Sequence, residues 1–110
     1  MQFLMLVCRD NQPVPPTSGP EGDIEEWVST MDGQGIRLAG DRLASEKQAS
    51  AVRVRDGEVV VTDGPFLETK EALGGFDLLE CRDLAHAVEV AAAHPFATQG
   101  VLELRPIWTE

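Results

Sequence analysis

The sequence is poor in aromatic and basic residues. It has no tyrosine, and aromatic residues make up 5% of its 110 residues, so the core must be built from aliphatic side chains. Lys and Arg total 9 against 19 Asp and Glu, which gives a formal net charge of −10. Nucleic acids are bound by neutralising their phosphates with Lys and Arg. Because the chain has no run of basic residues, we expect no nucleic acid partner and no anionic membrane partner.

Cysteine and histidine are also scarce. Cys8 and Cys81 do not form a disulfide framework, and neither has a second cysteine or a histidine at ligand spacing. We expect them at opposite ends of the sheet, as free thiols. The two histidines, His86 and His94, do not define a metal site together with scattered carboxylates. We therefore predict no metal and no cofactor.

The length fits one domain spanning residues 1–110. The apolar stretch at residues 2–8 has no basic leader before it, and polar residues 9–12 follow it at once. It is also too short to span a bilayer. From these features we expect a cytoplasmic protein that begins with a strand.

Hydrophobic periodicity and turn residues divide the chain into eight elements. The predicted strands are residues 2–8, 36–43, 51–55, 58–62, 76–81 and 101–107. A capping box at Ser18 to Glu21 predicts a first helix, whose apolar stripe is Ile24, Trp27, Val28 and Met31. Asp83 is a good N-cap for a second helix, with the stripe Leu84, Ala87, Val88, Ala91 and Ala92. The His94-Pro95 pair should end this helix.

Two glycine-containing positions carry specific expectations. Asp56-Gly57 between two runs rich in valine predicts a tight hairpin. Gly40 within the second strand predicts a bulge or a close approach of another backbone. The order β-α-β, hairpin, β-α-β then predicts an α+β, ferredoxin-like antiparallel sheet with both helices on one face.

The first strand is apolar on both of its faces, because Phe3 and Met5 alternate with Leu4 and Leu6. Two helices can cover only one face, so we expect a homodimer in which two sheets pack together. On the last strand, Glu103 and Arg105 share a face directed away from the helices. We interpret them as an ion pair that fixes this dimer, with a catalytic role as the alternative.

The stretch from Val61 to Phe76, which reads VTDGPFLETKEALGGF, resembles the signature of the DGPF branch of the YCII-related proteins. Residues 52–57 and 101–107 also resemble the hairpin and the closing strand of that family. The resemblance implies a dimeric α+β barrel. It further implies small-molecule enzymes with a His/Asp pair, in a branch often encoded near sigma factors of the extracytoplasmic-function type.

The chain departs from the pattern of that pair. The first helix has no histidine, and His94 occupies the position before Pro95 where the family pattern has an aspartate. The pair therefore cannot be carried over to this sequence.

Other residues then become the candidates for chemistry. Asp63, at a strand end beside Gly64-Pro65, is one acid–base candidate, with capping of the turn as its alternative role. His94 is the other, because a helix C-terminus favours a charged imidazole; a solvated helix end is the alternative. Arg42, Lys70 and Glu71 are candidate ligand-binding residues, with a solvated turn as the alternative for the last two.

Two functions remain open at this point. The first is a cytoplasmic homodimer with a small-molecule pocket and acid–base enzymatic activity. The second is a non-catalytic binding or regulatory module linked to sigma-factor-dependent transcription. The sequence does not decide whether the protein is an enzyme, and it names no substrate.

Overall fold

A computed structural model of the chain describes residues 1–9, 21–64 and 72–109. Six strands and two helices follow one another within these residues. They are β1 (Gln2–Arg9), α1 (Glu21–Gly33), β2 (Arg37–Arg42), β3 (Ser50–Arg55), β4 (Glu58–Asp63), β5 (Ala72–Glu80), α2 (Leu84–Ala92) and β6 (Gly100–Pro106). Two short 3₁₀ helices lie at Glu46–Gln48 and Pro95–Thr98. The predicted order is confirmed, although Ser18 of the predicted capping box lies outside the described residues.

Four strands form an antiparallel sheet in the order β2-β5-β1-β6. This is the strand order of a ferredoxin-like α+β fold, as predicted. Phe3, Met5 and Val7 of β1 are buried against both helices, and the core also takes in Trp27 and Leu79. Leu4 and Leu6 lie on the opposite face and are only half-buried. The two faces of β1 are therefore apolar, but among the described residues only the face of Phe3 and Met5 is buried.

The second helix buries a different face from the one predicted. Ala87 and Ala91 are buried as expected, but Leu84 and Val88 are 55% and 51% exposed, and Val90 is buried in their place. The indole Nε1 of Trp27 donates a hydrogen bond to the backbone oxygen of Val90 at 3.0 Å. The face of α2 that joins the core therefore carries Ala87, Val90 and Ala91, and the larger Leu84 stays outside it.

Strand β5 begins earlier than predicted. The pair Gly74-Gly75 lies inside the strand, whereas the sequence indicated a break before residue 76. The pairing with β1 shifts by one residue between Val7 and Cys8, which accommodates the glycines as a bulge. A Cβ atom added at Gly75 would lie 3.0 Å from the backbone oxygen of Asp41. The glycines therefore let β2 approach β5 closely.

The β3–β4 hairpin forms a separate two-stranded sheet. Its turn residues Asp56 and Gly57 have φ values of 52° and 78°, as a tight primed turn requires, which confirms the predicted hairpin. In the pairing register, Val52 lies opposite Val61, and Val54 lies opposite Val59. All four valines share one face and are between 58% and 68% exposed.

No helix among the described residues is long and apolar enough to cross a membrane.

Candidate functional site

A cleft of about 390 Å³ opens on the helix-covered side of the sheet. Its apolar wall is formed by Val7, Ile24, Val28 and Phe96. Its polar wall is formed by side chains of α1, β2 and β5, together with the segment that follows α2. These polar and charged residues are Glu25, Arg37, Asp41, Arg42, Asp77 and His94. The cleft thus joins an apolar surface to a small set of polar groups, which is the usual make-up of a ligand site.

The polar wall is organised around an ion pair between Arg37 and Asp77. Arg37 Nε donates to Asp77 Oδ1 at 2.7 Å, and its two Nη atoms reach Gly40 O at 2.9 Å and Asp32 Oδ1 at 3.2 Å. Asp77 is only 6% exposed. Burial raises the pKa of its carboxyl above the ordinary value, and the hydrogen bond from Arg37 opposes this only in part. The pair is a fixed structural element of the cleft.

Gly40 makes this ion pair sterically feasible. A Cβ atom at Gly40 would overlap Asp77 Oδ1 and would lie 2.7 Å from Phe76 O and 2.9 Å from Arg37 Nη2. The pairing of β2 with β5 also shifts between Arg37 and Ala39. The predicted close approach at Gly40 is therefore confirmed.

Sequence reasoning did not single out Arg37 or Asp77 as site residues. Two signals were present. Gly40 indicated a close backbone approach, and Asp77 lies on the same face of its strand as the buried Leu79 and Cys81. A charged residue on the buried face of a strand needs a partner. The partner itself lies 40 positions away, in β2.

His94 is buried at the edge of the cleft, where it is 5% exposed. It is the N-cap of the 3₁₀ helix Pro95–Thr98, and its Nδ1 accepts a hydrogen bond from the backbone N–H of Phe96 at 3.0 Å. The ring meets Trp27 edge to face at a centroid distance of 4.7 Å, and it stacks on Phe96 at 5.9 Å. The imidazole is therefore held in one orientation.

Of the two interpretations of His94, the solvated helix end is wrong, because the ring is buried. The charged form of the imidazole is not favoured either. Burial lowers the pKa of His94 to about 4, because the apolar surroundings disfavour the cation. The α2 C-terminus does not overcome this cost. At neutral pH the ring is uncharged.

The structure brings only some of the predicted site residues together. Arg42 and His94 line the cleft, and Asp41 lies beside Arg42, whose backbone N–H donates to Asp41 Oδ1 at 2.8 Å. Asp63 is exposed at the end of β4, paired in register with Ser50, and it is not among the described residues that line the cleft. Lys70 and Glu71 lie outside the described residues.

The remaining predictions concern thiols and surface charges. Cys8 and Cys81 are not joined in a disulfide, as predicted. Burial raises the pKa of the Cys81 thiol, which makes it a poor nucleophile. Arg105 Nε donates to Glu103 Oε2 at 3.2 Å, so the predicted ion pair on β6 is present. Both side chains are exposed, and their role in fixing a dimer remains a prediction.

Within residues 1–9, 21–64 and 72–109, no group of three or more His, Cys, Asp or Glu side chains is arranged to hold a metal ion.

The chain was compared with protein families and with curated proteins. The family model described as the YCII-related domain matches residues 2–110. A protein of Rhizobium meliloti (strain 1021), named only as uncharacterized, is 41% identical over 70 residues. That match covers 60% of this chain and 55% of the relative, so it spans about half the length of that protein.

Proposed function

This chain belongs to the YCII-related family, and on that premise we propose that it binds a small organic molecule in the cleft between α1, β2 and β5. The observation that carries the proposal is the cleft itself, in which an apolar wall faces polar groups held in place. Arg37 and Asp77 are fixed by each other, and His94 is fixed by Phe96 and Trp27. Side chains ordered before binding reduce the entropy cost of holding a ligand.

Acid–base catalysis requires more of the residues in the cleft than binding does. A catalytic acid or base must exchange protons near the working pH. The low pKa of His94 and the position of Asp63 away from the cleft lining do not favour this chemistry at neutral pH. The acid–base roles of Asp63 and His94 therefore stay predictions, as do the ligand-binding roles of Arg42, Lys70 and Glu71.

The binding proposal is tested by filling the cleft. Val28 lies on the cleft wall, so Val28→Phe should occupy part of the ligand space and abolish binding. Mass spectrometry of the native protein would identify a copurified molecule, and titration calorimetry would then compare the variants. Val88→Phe is the matched control, because Val88 lies on the exposed side of the other helix. Ligand binding by this variant should equal that of the wild type. Equal binding by both variants would refute this location for the site.

We also propose that the protein is a homodimer in the cytoplasm. Support comes from the face of β1 and β5 opposite the helices, where Leu4, Leu6 and Leu78 are half-buried in a single chain. Half-covered leucines on a sheet face are typical of an association surface. Leu6→Lys should weaken association in sedimentation equilibrium, whereas Val88→Lys on α2 should not. A wild-type protein that sediments as a monomer at micromolar concentration would contradict the dimer.

A second candidate function is a non-catalytic regulatory module of the DGPF branch. It is favoured by the valine face of the hairpin, defined by Val52, Val54, Val59 and Val61, which is exposed on a two-stranded sheet. The partner implied by the resemblance is a transcription protein of the sigma-factor type. A purified sigma factor should then bind the wild-type protein and not Val54→Lys. Binding that survives this change would count against the valine face.

A further inference from the structure

We infer that His94 donates a hydrogen bond through Nε2–H to an acceptor oxygen of the molecule bound in the cleft. The inference rests on the proposed binding function and narrows its ligand to an apolar compound that carries a carbonyl or carboxylate oxygen. It gives His94 a role different from that of an acid–base catalyst.

The proton position follows from the hydrogen bond to Nδ1. A neutral imidazole has one protonated nitrogen, which donates, and one bare nitrogen, which accepts. Nδ1 accepts from the backbone N–H of Phe96 at 3.0 Å, so it carries no proton. His94 and Phe96 are two residues apart in the same capped turn, and this contact is therefore part of the local fold. The proton must lie on Nε2.

The surroundings of Nε2 show where that donor is available. Among the described residues, no side-chain nitrogen or oxygen that is fully buried lacks a hydrogen-bond partner. Within that part of the chain, the His94 ring makes its hydrogen bond at Nδ1 and none at Nε2. Since a fully buried Nε2 would then lack a partner, Nε2 must retain some solvent exposure. His94 is a lining residue of the cleft, and we place the exposed Nε2–H on that side of the ring.

The contacts of the ring keep it neutral and oriented. Its two ring neighbours, Trp27 and Phe96, are uncharged. The charged groups on the cleft wall come from the elements around it, and Asp77 among them is already bound to Arg37. These groups are Glu25 on α1, Arg37, Asp41 and Arg42 on β2, and Asp77 on β5. Burial dominates the low pKa of His94, so the donor persists through the neutral range.

The chemistry of the cleft selects the ligand class. Val7, Ile24, Val28 and Phe96 favour an apolar body, whereas Nε2–H requires an acceptor. A ligand without an acceptor would leave this donor without a partner once water is displaced, which costs free energy. A carbonyl or carboxylate oxygen on an apolar frame satisfies both requirements.

The tautomer can be tested before any ligand is known. In ¹⁵N spectra of protein labelled at histidine, assigned with His94→Gln, we expect His94 to remain the Nε2–H tautomer between about pH 5 and pH 8. A proton on Nδ1, or a doubly protonated ring at pH 6, would overturn the inference.

The role in binding is tested with two probes of equal shape. Acetophenone has a carbonyl oxygen where α-methylstyrene has a CH₂ group, and binding of either would be followed at the resonances of Val28 and Phe96. Of the two probes, we expect only acetophenone to shift the ¹⁵N resonance of His94 Nε2. We also expect His94→Phe to weaken its binding about fivefold, the size of one neutral hydrogen bond, with no change for α-methylstyrene. His94→Gln, which retains an N–H donor, should restore binding, and thermal unfolding would check that each variant is folded.

The outcomes separate this inference from the proposed function. If both probes enter the cleft equally well and neither moves the Nε2 resonance, the role of His94 is refuted while the binding site stands. If neither probe perturbs Val28 or Phe96, the cleft is not a binding site and both proposals fail.

Discussion

The four-stranded sheet and the β3–β4 hairpin both carry apolar faces, and they differ in what covers them. In β1, Phe3 and Met5 are fully buried beneath the two helices. In the hairpin, Val54 and Val59 are 58% and 68% exposed although they pair across the strands. Strand pairing satisfies the backbone but removes little side-chain surface from water, so an isolated two-stranded sheet is marginally stable. The two helices cover the Phe3 face of the main sheet, and this cover accounts for the difference in side-chain burial between the two regions.

The two regions differ in their polar groups as well. The main sheet together with the helices that cover it buries Asp77 and His94, whose pKa values are shifted in opposite directions, upward for the first and downward for the second. The described charged residues of the hairpin, such as Arg53, Asp56 and Glu58, are exposed. The buried polar side chains of the described residues are therefore concentrated in the main sheet and its cleft.

The largest expected effect comes from truncating the core. Phe3→Ala should destabilise the protein by about 4 kcal/mol, because it removes a fully buried ring and leaves a cavity. Val54→Ala in the hairpin should change the free energy of unfolding by no more than about 0.5 kcal/mol. Urea unfolding followed by fluorescence, at one fixed protein concentration, measures both. Similar losses for the two variants would show that the hairpin is buried in the assembled protein.

The next effect is the pH dependence contributed by His94. Its pKa falls from 6.5 to about 4 in the folded chain, so the unfolded chain binds more protons between these values. Stability should therefore be lost as the pH falls from 6.5 towards 4, by about 3 kcal/mol in total.

Asp77 contributes with the opposite sign, because its raised pKa gives stability at low pH that is lost as the pH rises through the folded value. Comparing the wild type with His94→Gln removes this contribution, because Asp77 is present in both proteins. The difference between their unfolding free energies should shrink from pH 7 to pH 4.5. A difference that is constant with pH would contradict a buried, neutral His94.

The third prediction concerns the close approach of β2 to β5. Gly40→Ala should cost about 2 kcal/mol, because the new Cβ would push Asp77 away from Arg37 and crowd Phe76 O. Gly33→Ala is the matched control, since a Cβ there meets nothing within 4 Å. This control should be neutral or stabilising by up to about 1 kcal/mol. Thermal unfolding of both variants checks the prediction, and a harmless Gly40→Ala would mean that the Arg37–Asp77 pair tolerates displacement.

Much of the fold could be predicted because its signals are local. The stripe from Ile24 to Met31 on α1 and the Asp56-Gly57 turn each depend on residues only a few positions apart, and both are confirmed. The extent of β5 was missed, because Gly74-Gly75 is a normal break signal when no neighbouring strand is considered. The glycine pair lies inside the strand because the backbone of β2 passes close to Gly75, where a side chain would crowd it.

The candidate site was less accessible from the sequence. His94 and Arg42 were named and line the cleft, but the charge state of His94 depends on Trp27, which lies far away in the chain. Arg37 and Asp77 carry no motif, and each is ordinary until the other is placed beside it.

The sequence by itself determined the order of the elements, the hairpin turn, the absence of basic runs and the resemblance to the YCII-related family around Asp63-Gly64. These follow from composition and from side-chain spacing within single elements. Only the tertiary structure decided which face of α2 is buried, that Arg37 meets Asp77, and that His94 is neutral. Those outcomes depend on desolvation and on contacts between residues that are 40 to 67 positions apart in the chain. Burial of a side chain is therefore a property of its neighbours in space, and local sequence does not specify them.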